Sequence, residues 1–87
     1  MFNLFIFRIF VYLLICLFVY QVAEGRACSN LGIVYQLLGD HDAALKLHQA
    51  HLNIARTLHD RAGMGRAFGN IGNAYSASGF YEQVRVG

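Results

Sequence analysis

The chain has 87 residues, of which 56% are hydrophobic, and its formal net charge is +2. A chain of this length forms one small domain at most. Its basic residues are interspersed with acidic ones, which excludes the clustered basic face that nucleic-acid binding requires. The two cysteines, Cys16 and Cys28, have no framework spacing, so we expect reduced thiols and no disulfide.

The first element is an apolar segment at residues 1–20, which only Asn3 and Arg8 interrupt. One interpretation is a secretory signal, because Arg8 closes a short basic region and residues 23–25 read small-x-small, as at a cleavage site. A second is a transmembrane anchor, since about 20 apolar residues span a bilayer. Arg8 would then cost about 2.5–3.5 kcal/mol near the centre of the span.

A third interpretation is that both ends of the chain are translated intron. The Phe, Leu, Ile, Val, Tyr and Cys of the first segment are encoded by pyrimidine-rich codons, and Gln21 fits the CAG that follows a polypyrimidine tract. At the other end, Gln83-Val84-Arg85 can be written as CAG followed by a GTGAG donor pattern. Residues 22–83 would then be one internal exon.

The next feature is an internal repeat with a period of forty residues. Residues 25–40 read GRACSNLGIVYQLLGD and residues 65–80 read GRAFGNIGNAYSASGF, with seven of the sixteen aligned positions identical. Leu31 and Ile71 form a conservative eighth pair. A period between 20 and 50 residues indicates a helical solenoid or a similar array.

The pattern inside each copy predicts an α-helix. Apolar residues recur at spacings of three and four and define one helix face: Cys28, Leu31, Tyr35 and Leu38, then Phe68, Ile71 and Tyr75. Gly39 ends the first helix, and Asp40 caps the next one. A second helix runs from Asp42 to about Leu58, and residues 59–63 form the following loop.

Two glycines, Gly32 and Gly72, fall inside the predicted helices of the repeat. Glycine costs about 1 kcal/mol in a helix interior. We therefore expect a neighbouring helix to approach closely at these positions, in a helical hairpin stacked on a copy of itself.

The motif Leu31-Gly32-x-x-Tyr35, followed by Gly39 and Ala44, resembles the tetratricopeptide repeat. The same motif recurs at residues 71–75, where it is followed by Gly79. The period of forty, instead of 34, and the segments GRAxxNLGxxY and ALKLHQAHLNIA resemble a scaffold subclass. That subclass is typified by the Pins-type G-protein signalling modulators and tetratricopeptide repeat protein 28. The resemblance covers roughly residues 22–83.

The sequence also departs from the repeat pattern. His48 and His51 stand where short repeats carry a bulky apolar residue and an alanine, and the chain contains no proline. The second copy breaks off after Gln83, where the pattern calls for alanine.

The resemblance implies an all-α fold, namely a tetratricopeptide-type helical hairpin solenoid fragment of about one and a half repeats preceded by an apolar N-terminal helix or signal-like segment. The expected units are residues 1–21 (apolar segment), 22–62 (repeat 1), 63–83 (first helix and turn of repeat 2) and 84–87 (irregular tail). The expected repeat-packing residues are Cys28, Leu31, Gly32, Tyr35, Ala44, Leu52, Phe68, Ile71, Gly72 and Tyr75. Since about three repeats are needed for stability, we expect the chain not to fold stably alone.

The resemblance also implies a peptide-binding groove lined by the first helix of each hairpin. Its expected residues are polar and lie off the core face: Arg26, Asn30, Arg66, Asn70 and Asn73. An asparagine amide bonds both polar groups of a peptide backbone, and an arginine fork holds a carboxylate. By resemblance, the Pins-type scaffolds use Arg and Asn in this way to hold acidic peptides. In the alternative, the arginines are solvated and the asparagines bond within the repeat stack.

Candidate chemical sites are weak. His41, His48 and His51 lie on or near one helix and could share a metal, but no second pair of ligands exists, so packing or solvated histidines are favoured. Asp40 and Asp42 read as a helix cap and a first-turn charge rather than paired acids. The sequence has no nucleophile elbow or phosphate loop. We expect no enzyme, no cofactor and no metal.

The sequence therefore favours a protein-interaction scaffold fragment that binds an extended peptide in a helical-repeat groove and belongs to a larger repeat protein. Its expected partners are a protein or peptide and neighbouring tetratricopeptide repeats, with no nucleic acid. Its expected location is cytoplasmic. The alternative is a small membrane-anchored or secreted protein with vestigial repeats, which requires residues 1–20 to be a genuine targeting segment. Cytoskeletal, mitotic or polarity scaffolding is suggested by analogy alone.

Overall fold

The computed structural model describes the backbone of residues 2–86 and the side chains of residues 3–77. Three α-helices follow one another: α1 (Phe2–Leu37), α2 (His41–Thr57) and α3 (Arg61–Val86). α2 packs against both α1 and α3, whereas α1 and α3 hardly touch each other. This order of packing confirms the all-α hairpin architecture, with α2 as the central helix.

The connection between α1 and α2 is a Schellman motif followed by a helix cap. The backbone N–H of Asp40 donates to the Tyr35 carbonyl at 2.9 Å, and that of Gly39 donates to the Gln36 carbonyl at 3.1 Å. Gly39 has a φ of 85°, which glycine adopts without steric cost. The Asp40 side chain then accepts the Ala43 N–H at 3.1 Å. The predicted helix stop and N-cap are both present.

The connection between α2 and α3 repeats this geometry twenty residues later. The backbone N–H groups of Asp60 and His59 donate to the carbonyls of Ala55 and Arg56, at 2.9 and 3.1 Å. The Asp60 side chain accepts the Gly63 N–H at 3.0 Å and so caps α3. His59 holds the left-handed conformation, with a φ of 55°. The loop is therefore shorter than the predicted residues 59–63, because α3 already begins at Arg61.

α1 joins the apolar segment and the first helix of the repeat without a break. Most large apolar side chains from Leu4 to Tyr20 are exposed by 45 to 67%. α1 is long and apolar enough to cross a membrane, since an 18-residue window within Asn3–Leu37 has a mean hydropathy of 2.3 and no buried residue. The predicted boundary at residue 21 therefore falls inside one helix, between an exposed apolar part and a part that packs on α2.

The core combines small residues on the outer helices with larger ones on α2. Its buried members are Gly25 and Gly32 on α1, Ala44, His48, His51, Leu52 and Ala55 on α2, and Gly63, Ala67 and Ala74 on α3. A Cβ added to Gly32 would lie only 2.6 Å from His48 Cε1. The expected close approach of a neighbouring helix is therefore found at Gly32. At Gly72, no atom lies within 4 Å of an added Cβ.

The predicted packing face is only partly correct. Gly32, Ala44 and Leu52 are buried, and Cys28, Tyr35 and Ile71 are half-buried. The other predicted members are exposed: Leu31, Gly72, Phe68 and Tyr75. On α3 the face toward α2 contains Ala67 and Ala74, and each exposed aromatic is the next residue, 100° further round the helix. The Arg56 guanidinium lies over the Phe68 ring, 6.0 Å from its centre, and so covers part of the ring.

The second copy of the repeat does not end as predicted. We expected a turn within residues 63–83 and an irregular tail at residues 84–87, whereas α3 continues to Val86. The first copy stops where Gly39 is followed by the capping Asp40, whereas Phe80 stands at the equivalent position of the second copy. A lone glycine costs a helix only about 1 kcal/mol, so the helix continues. Residue 87 lies outside the described residues.

Candidate functional site

A surface cavity of about 640 Å³ lies between α1 and α3, with one residue of α2 at its base. α1 and α3 both pack on α2 and leave a gap between themselves, and we call this gap the groove. Nine residues line it: Arg26, Ser29, Asn30 and Ile33 from α1, His51 from α2, and Arg66, Gly69, Asn70 and Asn73 from α3. Their side chains make the groove mainly polar and basic.

The structure brings together all five residues that the sequence assigns to a groove. Arg26 and Asn30 are four residues apart on α1, so both lie on one helix face. Arg66 and Asn70 repeat that spacing on α3, with Asn73 one turn further along. The forty-residue repeat thus places the same Arg–Asn pair on both walls of one cavity.

The asparagine amides are available to a ligand. Among the described residues, Asn30, Asn70 and Asn73 make no side-chain hydrogen bond to the rest of the chain. The alternative, in which Asn30 and Asn70 bond within the repeat stack, stays a prediction about a longer array of repeats. A free amide at a groove wall can both donate to and accept from a peptide backbone.

Arg66 is held only loosely by its own chain. Its guanidinium lies 4.0 Å from the Asp60 carboxylate, and both side chains are well exposed. An exposed ion pair of this kind contributes little stability. Asp60 is also engaged in capping α3, so Arg66 can turn toward a ligand at small cost.

His51 is one of four lining residues, with Ser29, Ile33 and Gly69, that the sequence does not assign to the groove. It is only 5% exposed, and its buried Nδ1 has no hydrogen-bond partner within the described part of the chain. Burial and the positive charge of Arg66 lower the pKa of His51, and Asp60 partly opposes them. His51 also lines a second cavity of about 100 Å³, together with Arg26 and Arg66. The sequence singles out His48 and His51 together as departures from the repeat pattern, and only the packing of the three helices shows that His51 is the one that faces the groove.

His48 has a different environment and lines neither cavity. It is fully buried against Gly32, and its Nε2 lies 3.1 Å from Gln36 Oε1 of α1. Burial and the neighbouring His51 lower the pKa of His48. Among the described residues, no group of three or more His, Cys, Asp or Glu side chains is arranged to hold a metal ion. His48 is therefore a packing residue between α1 and α2.

Most of the repeat portion of the chain is similar to known proteins. A tetratricopeptide repeat family model matches residues 25–85. The chain is similar to human G-protein-signaling modulator 1, with 48% identity over 58 residues. That match covers 67% of this chain and 9% of the relative, so the chain spans less than a tenth of the relative's length. No solved structure matches the chain.

Proposed function

The chain belongs to the tetratricopeptide repeat family, and on that premise we propose that it is a protein-interaction scaffold segment that holds an extended acidic peptide between α1 and α3. The observation that carries this proposal is the single cavity walled by Arg26 and Asn30 on one side and by Arg66 and Asn70 on the other. A repeated pair of this kind suits a ligand that is itself repetitive, such as an extended peptide backbone.

The groove chemistry favours a peptide with acidic side chains. Each asparagine amide can donate to a backbone carbonyl and accept from a backbone N–H of an extended peptide. Each guanidinium can form two parallel hydrogen bonds with a carboxylate. The asparagines would then provide affinity for any extended peptide, and Arg26 and Arg66 would select acidic residues.

We place this segment in a larger repeat protein, located in the cytoplasm, with a non-catalytic role. The exposed apolar face of α3, which includes Phe68 and Tyr75, suits packing against a neighbouring repeat. Such a neighbour would also lengthen the groove, and with it the number of peptide residues held. The human relative carries the name of a G-protein-signaling modulator, which agrees with a scaffold role in signalling.

The test is peptide binding by the full 87-residue chain in nonionic detergent micelles. The probe is a fluorescent twelve-residue peptide rich in glutamate, with blocked ends, followed by fluorescence anisotropy. Asn70→Ala should weaken binding about tenfold, because it removes two hydrogen bonds of about 0.5–1.5 kcal/mol each. Asn53→Ala, an exposed change on α2 away from the groove, is the matched control. Equal affinity of the two variants would assign Asn70 to packing.

A second function is favoured by the exposed apolar half of α1. We propose as the alternative that residues 1–20 anchor the chain in a membrane or target it for secretion, because this part of α1 packs on nothing in the described chain. The decisive test is the sequence of the mature transcript across the joins at Gln21/Val22 and Gln83/Val84. A message that carries codons 1–21 supports the targeting segment. A message that runs from other repeat codons directly into Val22 contradicts it.

A further inference from the structure

We propose that His51 forms the floor of an anion subsite in the groove, where its imidazole takes up a proton as an acidic side chain of the peptide binds between Arg26 and Arg66. This inference rests on the proposed function and adds a residue and a pH dependence to it. The groove would then bind acidic peptides more tightly as the pH falls.

The first argument is the position of His51. It reaches the groove from α2, whereas the neighbouring lining residues Arg26 and Arg66 come from α1 and α3. The imidazole lies beside Gly25 of α1: a Cβ added there would be in van der Waals contact with His51 Cδ2, at 3.5 Å. A ligand side chain that entered between the two arginines would therefore meet a fixed imidazole.

The second argument is an unpaired polar atom. His51 is nineteen-twentieths buried, and its Nδ1 has no hydrogen-bond partner among the described residues. A buried polar atom without a partner is costly and uncommon in a native structure. A carboxylate in the plane of the ring would accept the Nε2–H of an imidazolium, since Nδ1 is buried, and Nδ1 would also carry a proton.

The third argument is the balance of charges around His51. The charged or titratable groups that face it are Arg26 from α1, His48 from the preceding turn of α2, Asp60 from the connection and Arg66 from α3. In the free chain, burial and Arg66 lower the pKa of His51, with Asp60 partly opposing them, and so favour the neutral imidazole. A bound carboxylate offsets the arginine charges, so the imidazole accepts a proton from solvent and becomes an imidazolium.

The test is the titration of His51 by NMR in the full chain, held in nonionic micelles and labelled at histidine Cε1. The glutamate-rich peptide should raise the pKa of His51 by about one unit, and a peptide with glutamine at every glutamate should leave it unchanged. By linkage, the affinity for the glutamate-rich peptide should rise up to about tenfold as the pH falls through the free and bound pKa values.

Two variants separate a role in binding from a role in packing. His51→Gln should bind the glutamate-rich peptide with a pH-independent affinity, while circular dichroism checks that it is folded. His48→Gln replaces an equally buried histidine outside the groove and should keep the pH dependence of binding. If His51→Gln does not fold, the NMR titration of the unsubstituted chain still shows whether His51 takes up a proton when the peptide binds.

Two results would overturn the proposal. If the glutamate-rich peptide binds and the pKa of His51 does not move, His51 is a packing residue and the peptide groove stands without it. If neither peptide binds at any pH, the anion subsite and the proposed function fail together.

Discussion

The substitution Gly32→Ala probes the contact on which the packing of α1 against α2 depends. The added Cβ would lie 2.6, 2.9 and 3.0 Å from three atoms of the His48 ring. His48 is fully buried and its ring is held by Gln36 at 3.1 Å, so it has little room to withdraw. Overpacking of this kind costs about 1–3 kcal/mol, and a lost hydrogen bond costs about 1 kcal/mol more.

Against this cost stands the gain from replacing glycine in a helix, about 0.5–1 kcal/mol. We therefore expect Gly32→Ala to lower the free energy of unfolding by about 2 kcal/mol, or Tm by roughly 8–16 °C for a domain of this size. Gly72→Ala is the matched control, because Gly72 is the same repeat position and nothing lies within 4 Å of its added Cβ. It should stabilise the chain by up to about 1 kcal/mol.

Thermal unfolding followed by circular dichroism, on the full chain in nonionic micelles, measures both variants. A second background sharpens the test: in His48→Ala, the clash is absent and Gly32→Ala should become stabilising. The reasoning is refuted if Gly32→Ala and Gly72→Ala shift Tm equally, or if the effect of Gly32→Ala is the same with and without the His48 side chain.

Further predictions concern pH, the helix connections and the apolar segment. His48 and His51 have lowered pKa values in the folded chain, so stability should be full above about pH 6.5 and fall below it by up to about 1.4 kcal/mol per unit for each histidine; denaturant titrations at pH 5.5 and 7.5 measure this, and equal stability would contradict it. His59→Gly should stabilise the chain by about 1 kcal/mol because His59 has a positive φ, whereas Gly39→Ala should destabilise it by a similar amount. Thermal unfolding measures both variants, and a loss of stability in His59→Gly would contradict the left-handed helix end at His59. If the apolar part of α1 inserts into lipid, the chain should float with phosphatidylcholine vesicles and Leu13→Arg should reduce flotation; unchanged flotation would argue against insertion.

The sequence predicted what depends on short segments of the chain. The stop at Gly39 and the cap at Asp40 are local signals, and both are found in the structure. The end of the second helix near Leu58 is also predicted, but the left-handed conformation of His59 is not, because a histidine has no sequence signature for it comparable to glycine. The shared aspartate that follows each stop was the available signal.

The packing register was less predictable than the helices. Large apolar residues such as Phe68 and Tyr75 were expected in the core, but the contact with α2 uses Ala67 and Ala74 instead. Periodicity gives the spacing of a face, and only the neighbouring helix decides which face is covered. The groove residues Arg26 and Asn70 were assigned by resemblance, and their role in binding stays a prediction. The three-helix geometry was needed to place His51, rather than His48, at the groove.

The most direct measurement of the central claim is a map of the peptide contact by NMR. The full chain, labelled with ¹⁵N in nonionic micelles, is titrated with the glutamate-rich peptide, and the side-chain amide signals are followed. The account predicts shifts for Asn30, Asn70 and Asn73, from both walls of the groove, and none for Asn53 on α2. Shifts confined to Asn53, to one wall, or to no asparagine would contradict a shared groove between α1 and α3.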